Sequence, residues 1–97
     1  MLIFEDLKFE KKFGGVGATH TFDNGITISV QAGSGNYSTP RKNLSSSDDF
    51  VSFEVAVWDE GGDWITKEFA PDANNDVIGW QGRGEISFLM VKIQVEK

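Results

Sequence analysis

The stretch that decides the fold is residues 16–30, which read VGATHTFDNGITISV. Apolar and small polar residues alternate on both sides of Asp23-Asn24-Gly25, a pattern typical of two half-buried β-strands joined by a tight turn. A two-residue turn would set apolar side chains opposite polar ones, whereas a three-residue loop with Gly25 in the left-handed conformation of a G1 bulge avoids this. One face of the hairpin is then apolar and the other carries Thr and Ser. The predicted pairs are Phe22 with Ile26, His20 with Ile28, and Ala18 with Val30.

A second hairpin is predicted from about Phe50 to Phe69, around the acidic and glycine-containing turn at residues 59–63. Placing Trp58 opposite Trp64 brings Val57 near Ile65 and Phe53 near Phe69. One side of this hairpin is expected to face the core, and the other carries Ala56, Thr66 and both tryptophans. The predicted core side consists of Val51, Phe53, Val55, Val57 and Ile65.

The two ends of the sequence complete the predicted fold. Residues 4–13 are interpreted as a further strand, which Glu10-Lys11-Lys12 marks as an exposed edge. In residues 82–95, apolar residues recur at the i, i+3, i+4 and i+7 spacing of a core-facing helix, although a strand-like alternation is also present. Helix is the favoured interpretation. The helical stripe is Ile86, Leu89, Met90 and Ile93, and the alternating set is Leu89, Val91, Ile93 and Val95.

These elements predict an α+β fold in a single domain over residues 1–97: a twisted antiparallel sheet of about five strands with one C-terminal helix. A length of 97 residues suits one hydrophobic core. The formal charge of −6 disfavours direct binding to a nucleic-acid backbone. No apolar run is long enough for a signal peptide or a membrane span, so we expect a cytoplasmic protein that does not bind membranes.

The sequence offers little for catalysis or metal binding. It has no cysteine and a single histidine, His20, which excludes thiolate and multi-histidine metal sites. Residues 72–76 begin like a calcium loop, but Val77 stands where such a loop needs Gly and Arg83 where it needs Glu. No nucleophile, base and orienting group can be assembled from the pattern. We therefore expect a protein that is not an enzyme and has no cofactor or metal.

The order of landmarks along the chain resembles a group of small uncharacterised proteins of tailed phages and prophages. The similarity lies in Gly14-Gly15, the His-Thr-Phe-Asp-Asn-Gly segment at 20–25, and Asp76-Val77-Ile78-Gly79-Trp80. It implies a phage origin, a shared fold and an acidic C-terminal helix, and it implies no activity. The sequence departs from that group at Gly82-Arg83-Gly84, where a polar cap is expected, and at the more apolar Phe88 and Val91.

Aromatic residues supply the candidate binding sites. Trp58, Trp64 and Trp80 either pack under the C-terminal segment or remain exposed as anchors for a partner. Tyr37, Arg41 and Lys42 lie in a long Gly/Ser-rich loop, where they offer a stacking ring, two positive charges and backbone donors for phosphate.

The expected function is that of a non-catalytic phage or prophage accessory protein. It engages a host macromolecule, most readily a host protein, and inhibits a host defence system. The alternative is a protein that sequesters a small signalling nucleotide. A mimic of DNA is disfavoured by the modest and scattered charge. An exposed edge strand also allows two copies of the chain to pair as a homo-oligomer.

Overall fold

Five antiparallel strands in the order β1-β2-β3-β4-β5 form the sheet, which the computed structural model describes for residues 1–74 and 76–96. The strands are β1 (Glu10–Lys12), β2 (Gly15–Thr21), β3 (Thr27–Gly33), β4 (Phe53–Trp58) and β5 (Val77–Gln81). Two α-helices follow β4 and β5, namely the one-turn α1 (Thr66–Phe69) and α2 (Arg83–Gln94). Short 3₁₀ turns occur at Phe4–Asp6 and Ser47–Asp49. The predicted α+β fold with a C-terminal helix is confirmed.

The first hairpin has the predicted register. Ala18 lies opposite Val30 and His20 opposite Ile28. The turn is closed by Phe22, whose N–H donates to the Ile26 carbonyl at 2.8 Å while its own carbonyl accepts from Gly25 at 2.9 Å. Gly25 has φ +87°, as the G1 bulge requires. Alternation and turn chemistry together were therefore sufficient to fix this pairing.

Helix α2 covers one face of the sheet. The buried residues of its stripe join a core formed by alternate residues of β2, β3 and β4. Glu85 accepts a hydrogen bond from the Gly82 N–H at 2.8 Å and so satisfies one free donor at the start of the helix. Since successive strand residues point to opposite faces, the remaining residues face away from α2, on what we call the outer face. The core is formed by Val16, Phe22, Ile28, Val30, Ala32, Phe53, Val55, Val57, Ile86, Leu89, Met90 and Ile93, with others.

The predicted second hairpin holds as far as Ile65, whose N–H donates to the Val57 carbonyl at 2.8 Å, and its second arm is wrong beyond that residue. Trp58 and Trp64 do form an isolated antiparallel bridge, but the chain then turns into α1 instead of continuing as a strand. The buried Thr66 hydroxyl accepts the Val57 N–H at 2.9 Å, which occupies the donor that a longer ladder would need. Phe53 consequently lies opposite Gln81 of β5 and does not pair with Phe69. The fifth strand of the sheet is thus residues 77–81.

The expected core position of Val51 is also wrong, because its side chain is 66 % exposed while that of Phe50 is buried. The N–H groups of Val51 and Ser52 both donate to the carbonyl of Thr39, at 2.8 and 3.4 Å. Two successive donors on one carbonyl are characteristic of a β-bulge. The bulge lies just before β4 and shifts the alternation of buried and exposed side chains by one position. Phe50 therefore points into the core.

The N-terminal strand is shorter than predicted. Within residues 4–13 only Glu10–Lys12 are in a strand, and Phe4 is a buried residue of the first 3₁₀ turn. The Phe4 N–H donates to Ser87 Oγ at 2.9 Å, which fastens this turn to α2. β1 lies at the edge of the sheet with all three residues exposed, as the two lysines indicated.

Candidate functional site

A groove crosses the outer face at right angles to the strands. The register places Thr19, Ser29, Ala56 and Val77 next to one another on β2, β3, β4 and β5. These are small or short side chains, flanked on β4 by the larger Glu54 and Trp58, and they leave a hollow of about 260 Å³. We call this hollow the cross-strand groove. Its lining residues are Thr19, Ser29, Gln31, Glu54, Ala56, Trp58, Trp64 and Val77.

One wall of the groove is the predicted tryptophan pair. The rings of Trp58 and Trp64 are 5.3 Å apart between centroids and inclined by 61°. The turn between them is held by the Asp59 N–H bonded to the Asp63 carbonyl and by the Asp63 N–H bonded to Asp59 Oδ1, both at 2.9 Å. Trp64 remains 51 % exposed. Since α2 packs on the other face, it does not cover the pair, so packing under the C-terminal segment is excluded for Trp58 and Trp64, and their role as anchors for a partner stays a prediction.

The opposite wall is polar and carries a negative charge. Gln31 and Glu54 face each other across β3 and β4. The Glu54 carboxylate accepts from Asn36 Nδ2 at 2.8 Å and from the Tyr37 N–H at 3.4 Å. Both donors are neutral, so they orient the carboxylate without cancelling its charge. Gln31 donates its amide N–H to Ser29 Oγ at 3.2 Å, which leaves its carbonyl oxygen as an acceptor.

A second aromatic pair lies near the end of β5. The rings of Tyr37 and Trp80 are 5.2 Å apart at 32°, and the Trp80 N–H donates to the Tyr37 carbonyl at 2.9 Å. Gly79 permits this approach, because a Cβ there would lie 2.6 Å from the Tyr37 Cβ. The Arg41 guanidinium lies 5.1 Å above the Tyr37 ring. Lys42 is exposed in the same loop, outside the contacts that define this cluster.

Five of the six candidate residues are therefore divided between two places, and Lys42 belongs to neither. Trp58 and Trp64 form one group beside the groove, while Trp80 joins Tyr37 and Arg41 in the other. The tryptophans do not form a single cluster. Sequence reasoning missed Glu54 and Gln31 as groove residues. The available signal was a charged residue within the otherwise apolar strand Phe53–Trp58.

Four backbone donors at the start of the Gly/Ser-rich loop are used inside the protein. The Gly33 N–H donates to Ser38 Oγ at 3.1 Å, and the Ser34 N–H to the Gly14 carbonyl at 2.9 Å. The N–H of Asn36 donates to the Gly33 carbonyl at 3.3 Å, and that of Ser38 to the Asn36 carbonyl at 2.9 Å. In this conformation the loop does not present these N–H groups to a phosphate.

The single histidine lines a separate hollow of about 630 Å³ together with Asp6 and Asp23. His20 is half-buried, and its ring packs edge-on against Phe22 at 4.9 Å. Asp6 accepts the Ile3 N–H at 2.9 Å in the N-terminal turn. Over residues 1–74 and 76–96, no three His, Asp or Glu side chains are grouped so as to hold a metal ion. The calcium-like stretch 72–76 includes Asn75, which lies outside the described residues.

Comparisons with known proteins add no assignment. No protein-family model, curated protein or solved structure matches the chain. In the part of the chain that the structure describes, no helix combines the length and the apolar character needed to cross a membrane.

Proposed function

We propose that this chain is a non-catalytic binding protein that engages a host protein through its outer face. The observation that supports this most directly is the Trp58–Trp64 pair, which lies beside a groove with Trp64 half exposed. Tryptophan and tyrosine are enriched among the residues that dominate protein–protein binding energy, because they bury a large area and lose few rotamers. An aromatic pair with one half-exposed indole beside polar side chains suits recognition of a partner.

The charge of this surface indicates a basic partner. Asp59, Glu60 and Asp63 lie in the turn between the two tryptophans, Glu54 lies across the groove, and the whole chain has a formal charge of −6. Complementary charge accelerates association and disfavours partners of the wrong sign. A basic protein surface meets this requirement, and a nucleic-acid backbone does not.

The resemblance to phage and prophage proteins supports a host protein as the partner. A phage accessory protein with such a binding surface would act by occupying a host component. Inhibition of a host defence protein is the role we propose for it. Under this proposal the protein works in the cytoplasm of the infected cell.

The test is capture of partners from host lysate with tagged protein at near-physiological salt. The decisive comparison is Trp64→Ala against Phe88→Ala. Phe88 is 67 % exposed but belongs to α2, on the other side of the sheet, so it is a matched aromatic control. We expect a host protein that is retained by the wild type and by Phe88→Ala and is lost with Trp64→Ala. Equal capture by all three proteins, or capture by none, contradicts the proposal.

The nucleotide alternative keeps one supporting observation, the Arg41–Tyr37–Trp80 stack. An aromatic ring and a guanidinium can hold a base and a phosphate. A panel of signalling nucleotides should then raise the unfolding temperature of the wild type and not that of Arg41→Ala, since a ligand stabilises the state that binds it. No increase with any nucleotide would rule out this second function.

A further inference from the structure

We infer that the cross-strand groove receives an arginine side chain of the protein partner. This inference rests on the proposed function, and it specifies which chemical group the outer face recognises. It combines three observations: the size of the groove, the geometry of the tryptophan pair and the charge of Glu54 in the groove lining.

The groove has the size of a site for one side chain. Its volume of about 260 Å³ lies below the range of about 300–1,000 Å³ for pockets that enclose a drug-sized ligand. Along β4 the outer face reads Glu54, Ala56 and Trp58, so a small residue separates a carboxylate from an indole. Residues two apart in a strand are separated by about 6.6 Å, which puts the two ends of this series about 13 Å apart. A long side chain entering above Ala56 can reach both.

The tryptophan wall favours a cation. Trp58 and Trp64 are inclined by 61°, so their two ring planes bound the groove in different directions. Tryptophan is the strongest of the aromatic side chains in attracting a cation to its ring face. A planar guanidinium can stack on such a ring, which a lysine ammonium cannot do.

The polar wall favours the same group. Among the residues that line the groove in the described part of the chain, Glu54 is the one that carries a charge. Its hydrogen-bond donors, Asn36 and the Tyr37 backbone, are neutral and leave further lone pairs free. A carboxylate held in place can accept two parallel N–H bonds from a guanidinium, and the Gln31 carbonyl offers another acceptor. The same carboxylate repels a phosphate or an acidic side chain.

The charged residues around the groove do not reverse its preference for a guanidinium group. Beyond Trp64, Lys67 and Asp76 line an adjoining hollow and carry opposite charges. Nearer the turn, Asp59, Glu60 and Asp63 are acidic. On the side of this turn, an approaching arginine therefore meets acidic groups before it reaches the aromatic wall, whereas on the β1 side the Lys12 side chain lies over Gly17, next to Gln31.

The experiment uses three short neutral-flanked peptides that differ in one residue, which is arginine, citrulline or lysine. Each is titrated into the full chain, and the indole N–H resonances are followed by NMR. We expect the arginine peptide to shift the signals of Trp58 and Trp64 and to leave that of Trp80 in place. Citrulline keeps the shape of arginine without its charge and should bind at least tenfold more weakly. Lysine should also bind more weakly than arginine.

Variants of the groove provide a second measurement. Glu54→Gln should weaken binding of the arginine peptide at least tenfold, and Trp64→Ala should do the same, whereas Phe88→Ala should have no effect. Unfolding curves establish that each variant is folded, and the citrulline peptide tests the charge without any substitution. Equal binding of arginine and citrulline, tighter binding of lysine, or unchanged binding by Glu54→Gln would each overturn the inference.

These outcomes separate the two proposals. If Trp64→Ala loses the host partner but no peptide binds the wild type, the outer face is a docking surface and the arginine inference fails. If the arginine peptide binds as expected while Trp64→Ala still captures the same host protein, the groove binds arginine and the proposed function fails.

Discussion

The Thr66 hydroxyl ends the pairing of residues 64–66 with β4, and its replacement by valine gives a quantitative prediction for the stability of the protein. The buried hydroxyl accepts the Val57 N–H at 2.9 Å and donates to the Asp76 carbonyl at 2.6 Å. Valine has nearly the same shape, so Thr66→Val removes these hydrogen bonds and leaves no cavity. Asp76 is exposed and its carbonyl can bond to water, but Val57 is fully buried.

The magnitude follows from the Val57 N–H alone. A buried donor that loses its acceptor costs about 1–3 kcal/mol of stability. In a domain of 60–100 residues each kcal/mol lowers the unfolding midpoint by about 4–8 °C. We therefore expect Thr66→Val to lower the midpoint by at least about 4 °C. Thermal and urea unfolding followed by tryptophan fluorescence measure this directly.

The control is Thr66→Ser, which keeps the hydroxyl and removes one buried methyl group worth about 0.8 kcal/mol. Serine should therefore be the milder of the two substitutions. A valine variant as stable as the wild type, or a serine variant less stable than the valine variant, would refute the reasoning. In either case the hydroxyl would not be what ends the ladder at β4.

Three further predictions concern the rest of the fold. Gly33→Ala should lower the free energy of unfolding by about 3 kcal/mol or more, because a Cβ there would lie 2.2 Å from the Gly14 carbonyl oxygen. The control Gly35→Ala places its Cβ in open space and should leave the urea midpoint of unfolding unchanged or slightly raised. Asn24→Ala should lower the melting temperature and increase hydrogen exchange at the end of α2, since Asn24 Nδ2 donates to the Ile93 carbonyl at 2.8 Å; unaltered exchange there would argue against this link. Phe13→Ser should leave stability within about 0.5 kcal/mol, because the ring is 99 % exposed, and a larger loss in calorimetry would show a contact that the structure lacks.

The sequence was sufficient for the elements whose pairing is local. Gly25 determined the loop length of the first hairpin, and the loop length determined its register. For α2 the sequence contained both a helical stripe and a strand-like alternation; the structure selects the stripe of Ile86, because strand alternation would have placed Phe88 and Met90 on the same face, whereas one is exposed and the other fully buried. In the first hairpin the periodicity and the local chemistry agree.

Errors arose where a single hydrogen bond outweighed the pattern. The residues after Trp64 are compatible with a strand, but the Thr66 hydroxyl occupies the donor of Val57 and the chain turns into a helix. The carbonyl of Thr39 accepts two successive N–H groups and shifts the alternation at Val51. Neither contact between distant residues leaves a periodic signal in the sequence.

The candidate site was likewise predictable only where its contacts are local in sequence. The acidic glycine turn predicted the Trp58–Trp64 pair, because residues that flank a short turn lie opposite each other. The meeting of Tyr37, Arg41 and Trp80 depends on the path of a long loop, which periodicity does not describe. Glu54 became a groove residue only once the register of β3 and β4 was known.

The order of the strands in the sheet follows their order in the chain, and this bears on how the protein folds. Contacts between near neighbours in sequence require little loop closure, so such a topology favours fast folding without a long search. Helix α2 differs, because it follows all five strands in the sequence and supplies Ile86, Met90 and Ile93 to the core that they share. While α2 is still inside the ribosome, the nascent chain would therefore expose the apolar face of its sheet to chaperones.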